Sequence, residues 1–231
     1  MMKPMTSRRI VVAIDGPSGA GKGTVSRALA EALGFRHVDT GAMYRAVAWK
    51  AMHDGVDLAD EAAVARLAAQ AEFDLDHCVG VDGHDVTAAI RTIEIDAAAA
   101  IVARHADVRR VLVARQRAFG DLGDLVMEGR DIGTVVFPDA DVKIFLDATP
   151  EERARRRAND TSHAAGRDAT TLDRVARDLA ARDQADSTRT VSPLTRAADA
   201  IYIDTTGIPI PDVVARALDV VSRRLAEAPK S

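Results

Sequence analysis

The feature that most constrains the fold of this chain is a glycine-rich segment, residues 16–24, which lies between an apolar run and a helical run. The apolar run, residues 10–15, is rich in β-branched side chains, which is typical of a strand buried on both faces of a parallel sheet. Residues 25–33 follow with the composition of a helix. Glycines let backbone N–H groups converge on phosphate oxygens, and the N-terminus of a helix adds a partial positive charge. The sequence therefore predicts a phosphate-binding turn between a buried strand and a helix.

The order of residues in this segment resembles the P-loop, G-x-x-x-x-G-K-[ST], with one departure: Gly23 follows Lys22, and Thr24 comes one place later. Lys22 supplies a full charge for the β- and γ-phosphates of a triphosphate. The Thr24 hydroxyl can lie near Mg²⁺, which we expect to be bound mainly through the phosphates of ATP. A serine nucleophile elbow at Ser18 is rejected, because G-x-S-x-G needs glycine where Ala20 stands. The residues predicted to bind ATP are Gly16, Pro17, Ser18, Gly19, Ala20, Gly21, Lys22, Gly23 and Thr24.

Four further runs indicate strands of the same sheet. They are residues 35–39, 125–127, 142–146 and 200–204, and helical patterns lie between them. Strands that alternate with helices imply an α/β fold with a parallel sheet and right-handed crossovers.

Residues 56–108 break this alternation, because they are Ala-rich and long for a single crossover. Within them, Asp82-Gly83 between two short β-type runs indicates a hairpin. We therefore expect a small inserted subdomain at residues 56–108. The remainder is predicted to be a loose leader, residues 1–9, and a core formed by residues 10–55 and 109–231.

Composition restricts the partners of the chain. It has 231 residues, with 31 Lys+Arg against 35 Asp+Glu and a net charge of −4, which argues against general binding to nucleic acid or to an anionic membrane. The one cysteine, Cys78, excludes an internal disulfide and a Cys-based zinc finger. No run of 18 apolar residues exists, and the apolar run behind the basic start is too short for a signal peptide. We predict a cytoplasmic monomer that acts on small molecules.

Basic residues at the sheet edge are candidates for holding a second substrate. Arg130 and Asp131 come just after the strand at 125–127, and ligands of open α/β sheets bind at the carboxyl ends of the strands. Thr40 is a plausible N-cap, which places Arg45 about one and a half turns into the next helix. We therefore favour a binding role for Arg45 and Arg130 over a surface role.

Two later helices also carry arginines. Thr149 and Pro150 form an N-cap and first helical position, and the helix that follows contains Arg153 and Arg157. Further on, Arg182, Asp186 and Arg189 share one helix face by their spacing. From spacing alone, a solvated face with ion pairs is the better interpretation of those three residues.

Together these segments resemble the nucleoside monophosphate kinases, and most closely the bacterial cytidylate kinases. The Gly-Lys-Gly-Thr ending of the P-loop is the variant that this group uses. The resemblance extends from Ile10 to about Leu225 and is carried by residues 14–24, 39–45, 90–92, 115–119, 129–140 and 143–148.

The resemblance implies a fold and a reaction. The fold is a five-stranded parallel core sheet with an inserted NMP-binding subdomain and a short arginine-bearing lid at about residues 153–168. The reaction is transfer of the γ-phosphate of ATP to CMP or dCMP, giving ADP and CDP or dCDP, with Mg²⁺.

The resemblance also implies roles for individual residues. Arg45, Arg130 and Arg189 match positions that hold the acceptor phosphate, and Arg182 and Asp186 match positions that contact the ribose. Thr40 stands where the family often has serine, and Arg109 and Asp131 match cytosine-recognition positions. Ala100 stands where the family usually has a serine near the cytosine, which removes one hydroxyl. Lys22, Arg153 and Arg157 are the expected catalytic residues, because the lid arginines neutralise charge on the migrating group.

No general base is expected, because a phosphate monoester acceptor with a second pKa of about 6 is largely ionised near neutral pH.

The sequence leaves two alternatives to a CMP kinase. The first is a kinase for another monophosphate such as UMP or AMP, for which Ala100 leaves room. The second is a GTP-dependent switch, which typically reads guanine with Asn-Lys-x-Asp. The only asparagine, Asn159, lies in a different context.

Overall fold

The computed structural model describes residues 9–75, 78–160, 169–189 and 191–227. Most of the predicted leader and the second part of the predicted lid, residues 161–168, lie outside these residues. No helix in the described ranges is long and apolar enough to span a membrane.

Strands and helices alternate along most of the chain. Its strands are β1 (Val11–Asp15), β2 (Arg36–Asp39), β3 (Phe73–Asp74), β4 (Gly80–Val81), β5 (His84–Asp85), β6 (Leu125–Gly129), β7 (Val142–Asp147) and β8 (Ile201–Asp204). Its α-helices are α1 (Lys22–Leu33), α2 (Thr40–His53), α3 (Glu61–Gln70), α4 (Ile93–Val102), α5 (Ala106–Gly120), α6 (Pro150–Ala158), α7 (Ala169–Thr188) and α8 (Ile210–Glu227). A 3₁₀ turn covers Ala89–Arg91, and a π-helical turn covers Ile132–Val136.

The main sheet has the strand order β2-β6-β1-β7-β8, and every pairing in it is parallel. The predicted α/β class with a five-stranded parallel sheet is therefore confirmed. Its central strand, β1, is covered on both faces. Val12 and Ile14 pack with residues of α1 and α8, whereas Ala13 packs on the opposite side with Met127 of β6. This alternation is why β1 is apolar throughout and why its carboxyl end is held rigidly.

The region between α3 and α4 forms a second, antiparallel sheet in the order β3-β4-β5. Asp82 and Gly83 join β4 to β5 with φ angles of 48° and 78°, as a two-residue hairpin turn requires, so the predicted hairpin is confirmed. Val81 and Val86 of this region pack against Ala42 and Ala46 of α2. The division of the chain into a core and an inserted subdomain stays a prediction.

Helix starts follow local capping rules, with one correction. Thr149 caps α6 by accepting a hydrogen bond from the Glu152 N–H, with Pro150 at the first position, as predicted. For α2 the predicted cap, Thr40, is wrong. Asp39 accepts the Ala42 N–H, and Thr40 is the first helical residue. The Thr40 hydroxyl instead donates to the Glu128 carbonyl at 2.7 Å, which ties α2 to the end of β6.

Gly16 offers a test of how closely the main sheet surrounds the loop after β1. Its φ is 148°, and a Cβ at this position would lie 1.9 Å from the Leu146 carbonyl oxygen of β7. Gly34, which ends α1, also has a positive φ, but open space surrounds it. We expect Gly16→Ala to lower the free energy of unfolding by at least about 3 kcal/mol, because overpacking adds to backbone strain.

The matched variant Gly34→Ala should cost about 1–2 kcal/mol, the strain alone. Urea denaturation followed by circular dichroism measures both. Equal losses of unfolding free energy in the two variants would contradict the close approach of β7 to Gly16.

Candidate active site

One cavity of about 890 Å³ lies at the carboxyl edge of the main sheet, beyond the ends of β1, β2 and β6. Residues predicted separately from the loop, the sheet edge and the later helices meet around it. The predicted residues that line it are Ser18, Gly19, Gly21, Lys22, Gly23, Thr24, Thr40, Arg45, Arg109, Arg130, Asp131, Arg157, Arg182, Asp186 and Arg189. Ala100 also lines it, whereas Gly16, Pro17, Ala20 and Arg153 do not.

The loop at one end of the cavity is built to receive an anion. Gly19 and Gly21 have φ angles of 80° and 91°, which only glycine adopts without strain. Helix α1 begins at Lys22, and its N-cap, Gly21, provides no side-chain hydrogen bond. The first-turn N–H groups of α1 therefore lack a capping side chain, which leaves them for a ligand.

Lys22 is buried at this end, and its ammonium group donates to the Pro17 carbonyl at 2.8 Å. Burial, with the nearby Arg130 guanidinium, lowers the pKa of Lys22 to about 7. The Glu128 carboxylate acts in the opposite direction. A bound phosphate would stabilise the charged ammonium, so occupancy of the loop and protonation of Lys22 are linked.

At the other end, arginines from three elements are held by two carboxylates. Arg45 bonds Asp39 at 2.9 Å, and Asp186 receives Arg130 at 3.0 Å and Arg189 at 3.5 Å. Burial opposes ionisation of Asp186, but Arg130 and Arg189 outweigh it and lower its pKa. Arg189 lies one residue beyond the end of α7 rather than on it.

These carboxylates do not use all the donors of the arginines. Within the described ranges, Nε of Arg45 and both Nε and Nη2 of Arg189 are buried without a hydrogen-bond partner. Buried charged donors are costly unless they are paired. The cluster therefore has unused capacity for an anion such as a phosphate.

A third group of side chains lies between α2, α4 and α5. Arg109 is buried, donates to the Asp131 carboxylate, and lies with its guanidinium 5.6 Å from the centre of the Tyr44 ring. Burial raises the pKa of Tyr44 to about 12, so its hydroxyl stays protonated. Ala99 and Ala100 line the same cavity. A charged pair, an aromatic ring and small apolar side chains suit a flat polar ring such as a nucleobase.

The helix α6 contributes three arginines to the cavity, which are Arg155, Arg156 and Arg157. Arg157 donates to the Asp96 carboxylate of α4, which also lies 3.9 Å from Arg182. Arg156 donates to both the hydroxyl and the carbonyl of Thr205. Arg156 and Asp96 are not among the site residues that the sequence predicts. The Arg-rich helix could have suggested Arg156, whereas no local pattern singles out Asp96.

Arg153 requires a correction, because it is placed outside the cavity. Its guanidinium is buried against the back of the loop and donates to the Ala148 carbonyl at 3.0 Å and to the Ser18 carbonyl at 3.2 Å. It also donates to the Asp183 carboxylate of α7. The predicted direct role of Arg153 in catalysis does not fit this placement.

Oxygen atoms suited to Mg²⁺ lie beside the loop. The Thr24 hydroxyl and the Glu128 carboxylate both border the cavity, and hard cations prefer oxygen ligands. Glu128 contacts His37 at 3.1 Å. No three His, Cys, Asp or Glu side chains in the described part of the chain are grouped closely enough to hold a metal ion. Thr24 and Glu128 offer oxygen atoms that fit Mg²⁺, and its binding mainly through the phosphates of ATP stays a prediction.

The chain is similar to known proteins over most of its length. Residues 12–223 match the family model described as cytidylate kinase. The cytidylate kinase of Desulfitobacterium hafniense is 48% identical over 222 residues, which are 94% of this chain and 95% of that protein. The bifunctional pantoate ligase/cytidylate kinase of Nostoc sp. is 45% identical over 231 residues, which are 96% of this chain and 43% of that protein. This chain thus spans less than half the length of the Nostoc relative.

Among solved structures, an uncharacterized protein from Eubacterium ventriosum has a TM-score of 0.51 at 10% identity, covering 93% of this chain and 99% of that chain. At that identity the likeness concerns the fold alone.

The state of Lys22 predicts proton uptake on ligand binding. Before a ligand binds, the pKa of Lys22 of about 7 leaves it mostly neutral at pH 8.5. ATP is fully ionised there and favours the charged ammonium. We expect binding of Mg·ATP at pH 8.5 to take up close to one proton, and affinity to fall as pH rises above 7. Calorimetry in two buffers of different ionisation enthalpy measures the uptake.

Lys22→Arg is the control, because its guanidinium stays charged and should take up no proton. Binding by the unmodified chain without proton uptake would contradict a Lys22 that is neutral before the ligand binds.

Proposed function

The chain belongs to the cytidylate kinase family, and from this premise we propose that it transfers the γ-phosphate of ATP to CMP and dCMP, giving ADP and CDP or dCDP. One observation carries the proposal. The loop with Lys22 and the cluster of Arg45, Arg130 and Arg189 line a single cavity, so a triphosphate and a monophosphate can meet in it. Two anions that must approach each other need positive charge on both sides of the transferred group.

In this proposal the donor occupies the loop. The backbone N–H groups before and at the start of α1 receive phosphate oxygens, and Lys22 leaves the Pro17 carbonyl to contact the β- and γ-phosphates. Mg²⁺, held mainly by the donor phosphates beside Thr24 and Glu128, supplies charge neutralisation for those phosphates when it is bound.

The acceptor occupies the arginine cluster. Arg45, Arg130 and Arg189 hold its phosphate, and the buried donors of Arg45 and Arg189 that find no partner among the described residues support this assignment. Arg182 and Asp186, both on α7, face the same cavity and are proposed to contact the ribose. Thr40 lines the cavity between the loop and the arginines.

The nucleobase is proposed to lie beside Arg109, Asp131 and Tyr44. The Arg109–Asp131 pair offers both donors and an acceptor, which a cytosine edge can use. Ala100 borders this part of the cavity with a methyl group, so selectivity for the base rests on the charged pair.

In the proposed mechanism, catalysis consists of positioning the donor and acceptor phosphates and stabilising the charge that develops between them. The acceptor phosphate is already ionised near neutral pH and needs no base. Lys22 holds the donor, the arginine cluster holds the acceptor, and Arg157 neutralises charge that develops between them. Closure of the lid is proposed to exclude water from the reacting phosphates. A monomeric state and a cytoplasmic location stay predictions from the sequence.

The first test is a coupled ADP-release assay with Mg·ATP and a panel of acceptors. We expect kcat/KM for CMP and dCMP to exceed that for UMP, AMP and GMP by at least about tenfold, because the Arg109–Asp131 pair reads the base edge. A higher kcat/KM with UMP or AMP would identify that nucleotide as the acceptor in place of CMP. ATP hydrolysis without transfer to any monophosphate would overturn the proposed function.

The second test removes the charge at the loop. Lys22→Ala should lower kcat for CMP phosphorylation by at least about a hundredfold, the scale of losing one electrostatic stabiliser of the transition state. The matched control is Lys50→Ala. Lys50 contacts Asp54 and Asp82 at 2.8 Å on the far side of α2, so its loss should leave kcat within about twofold. Turnover near the unmodified level in Lys22→Ala would refute the role of Lys22.

A further inference from the structure

The buried guanidinium of Arg153 connects three parts of the fold. Its acceptors are the Ala148 carbonyl after β7, the Ser18 carbonyl in the phosphate-binding loop, and the Asp183 carboxylate of α7. The backbone of α6 also packs directly on the loop, because a Cβ at Gly19 would lie 2.9 Å from the Arg153 carbonyl oxygen. A planar guanidinium can bond three acceptors in different directions, whereas an ammonium at the same place cannot reach all of them.

Asp183 lies on the helix that carries two residues of the acceptor site. It directly follows Arg182 and is three residues before Asp186, both of which line the large cavity. Asp183 itself contacts α6 and lines a second cavity of about 280 Å³ between α6 and α7. The position of α7 therefore decides where Arg182 and Asp186 stand, and Asp183 connects α7 to Arg153.

Among the described side chains, a small apolar cluster also joins these two helices. Where α6 meets α7, the buried cluster consists of Ala154, Val175 and Leu179, with Ala176 at its margin. The second cavity is lined in part by Leu179 and Ala176 of that cluster. A charge-assisted hydrogen bond between buried partners is worth more than a neutral one and fixes direction as well as distance.

We propose that Arg153 and Asp183 form a positioning pair that sets the place of α7, and with it the acceptor site, relative to the phosphate-binding loop. This inference rests on the proposed function. Arg153 acts through Ser18 and Asp183 and does not touch the transferred phosphate. The two partners then have unequal effects, because Asp183 reaches only α7, whereas Arg153 reaches both α7 and the loop.

The test is a double-mutant cycle with Asp183→Asn and Arg153→Lys, read as separate KM values for ATP and CMP. We expect Asp183→Asn to raise the KM for CMP about tenfold and to leave the KM for ATP within about twofold, since displacement of a binding group by about 1 Å has effects of this size or larger. Arg153→Lys should raise both KM values. In the double variant the KM for CMP should equal that of Arg153→Lys alone, because one contact is lost in each case.

A direct role for the charge of Arg153 gives the opposite result. Removing the negative Asp183 would then leave the site more positive, and Asp183→Asn would bind CMP at least as tightly as the unmodified chain. That result, or additive effects of the two substitutions on the KM for CMP in the double variant, would overturn the proposal of a positioning pair. A general disturbance of the cavity would raise both KM values together in Asp183→Asn, and this too would overturn it.

Two controls separate this inference from the proposed function and from misfolding. Asp178→Asn removes an exposed carboxylate of the same helix and should change neither KM. If Asp183→Asn does not fold, Asp183→Glu keeps the charge but displaces the carboxylate by one methylene, and should raise the KM for CMP alone. An unchanged KM for CMP in Asp183→Glu would count against the pair. If the unmodified chain phosphorylates no monophosphate, the proposed function fails. Calorimetric titration with CMP and with ATP then still compares the variants.

Discussion

Repulsion between buried positive charges is the constraint around which this structure is organised. Lys22, Arg130, Arg182 and Arg189 surround one cavity, and burial lowers the pKa of both Lys22 and Arg182, to about 7 and about 10, with Arg130 adding to each shift. A chain without a ligand tolerates such a cluster only if carboxylates stand between the cations. Asp39, Asp186 and Asp96 do so, and each comes from a different element than the arginine it contacts most closely.

The main sheet fixes the positions of these charged side chains. Strand β6 ends at Gly129, and Arg130 and Asp131 follow at once, so the register of β6 with β1 and β2 places both side chains. A Cβ at Gly129 would lie 2.6 Å from the Thr40 hydroxyl. Because glycine has no side chain, α2 can approach β6 this closely. Arg45 then reaches the same cavity from α2. The packing of the core and the placement of the cations therefore depend on the same contacts.

Local sequence patterns predicted the parts of this site that local physics decides. The apolar β1, the glycines after it and the Asp82-Gly83 turn each require a particular backbone, and the sheet-edge rule was enough to select Arg130. Thr40 and Asp39 are both good capping residues, and they are distinguished by other contacts, of Asp39 with Arg45 and of the Thr40 hydroxyl with the Glu128 carbonyl. Arg153 and Arg157 share one helix face by spacing, yet one packs on the loop and the other borders the cavity. Asp96 has no local signal, because its partners lie on α6 and α7.

The incompleteness of the arginine cluster also explains why a monophosphate would be a better acceptor than water. Arg45 and Arg189 keep buried N–H donors without partners in the described part of the chain, while their other donors are shared with Asp39 and Asp186. A dianion satisfies those donors and offsets the mutual repulsion of the arginines, whereas water brings no charge. Binding energy from the phosphate is thus available to align the acceptor with a donor in the loop, and water gains none of that alignment. Discrimination against hydrolysis then begins with charge.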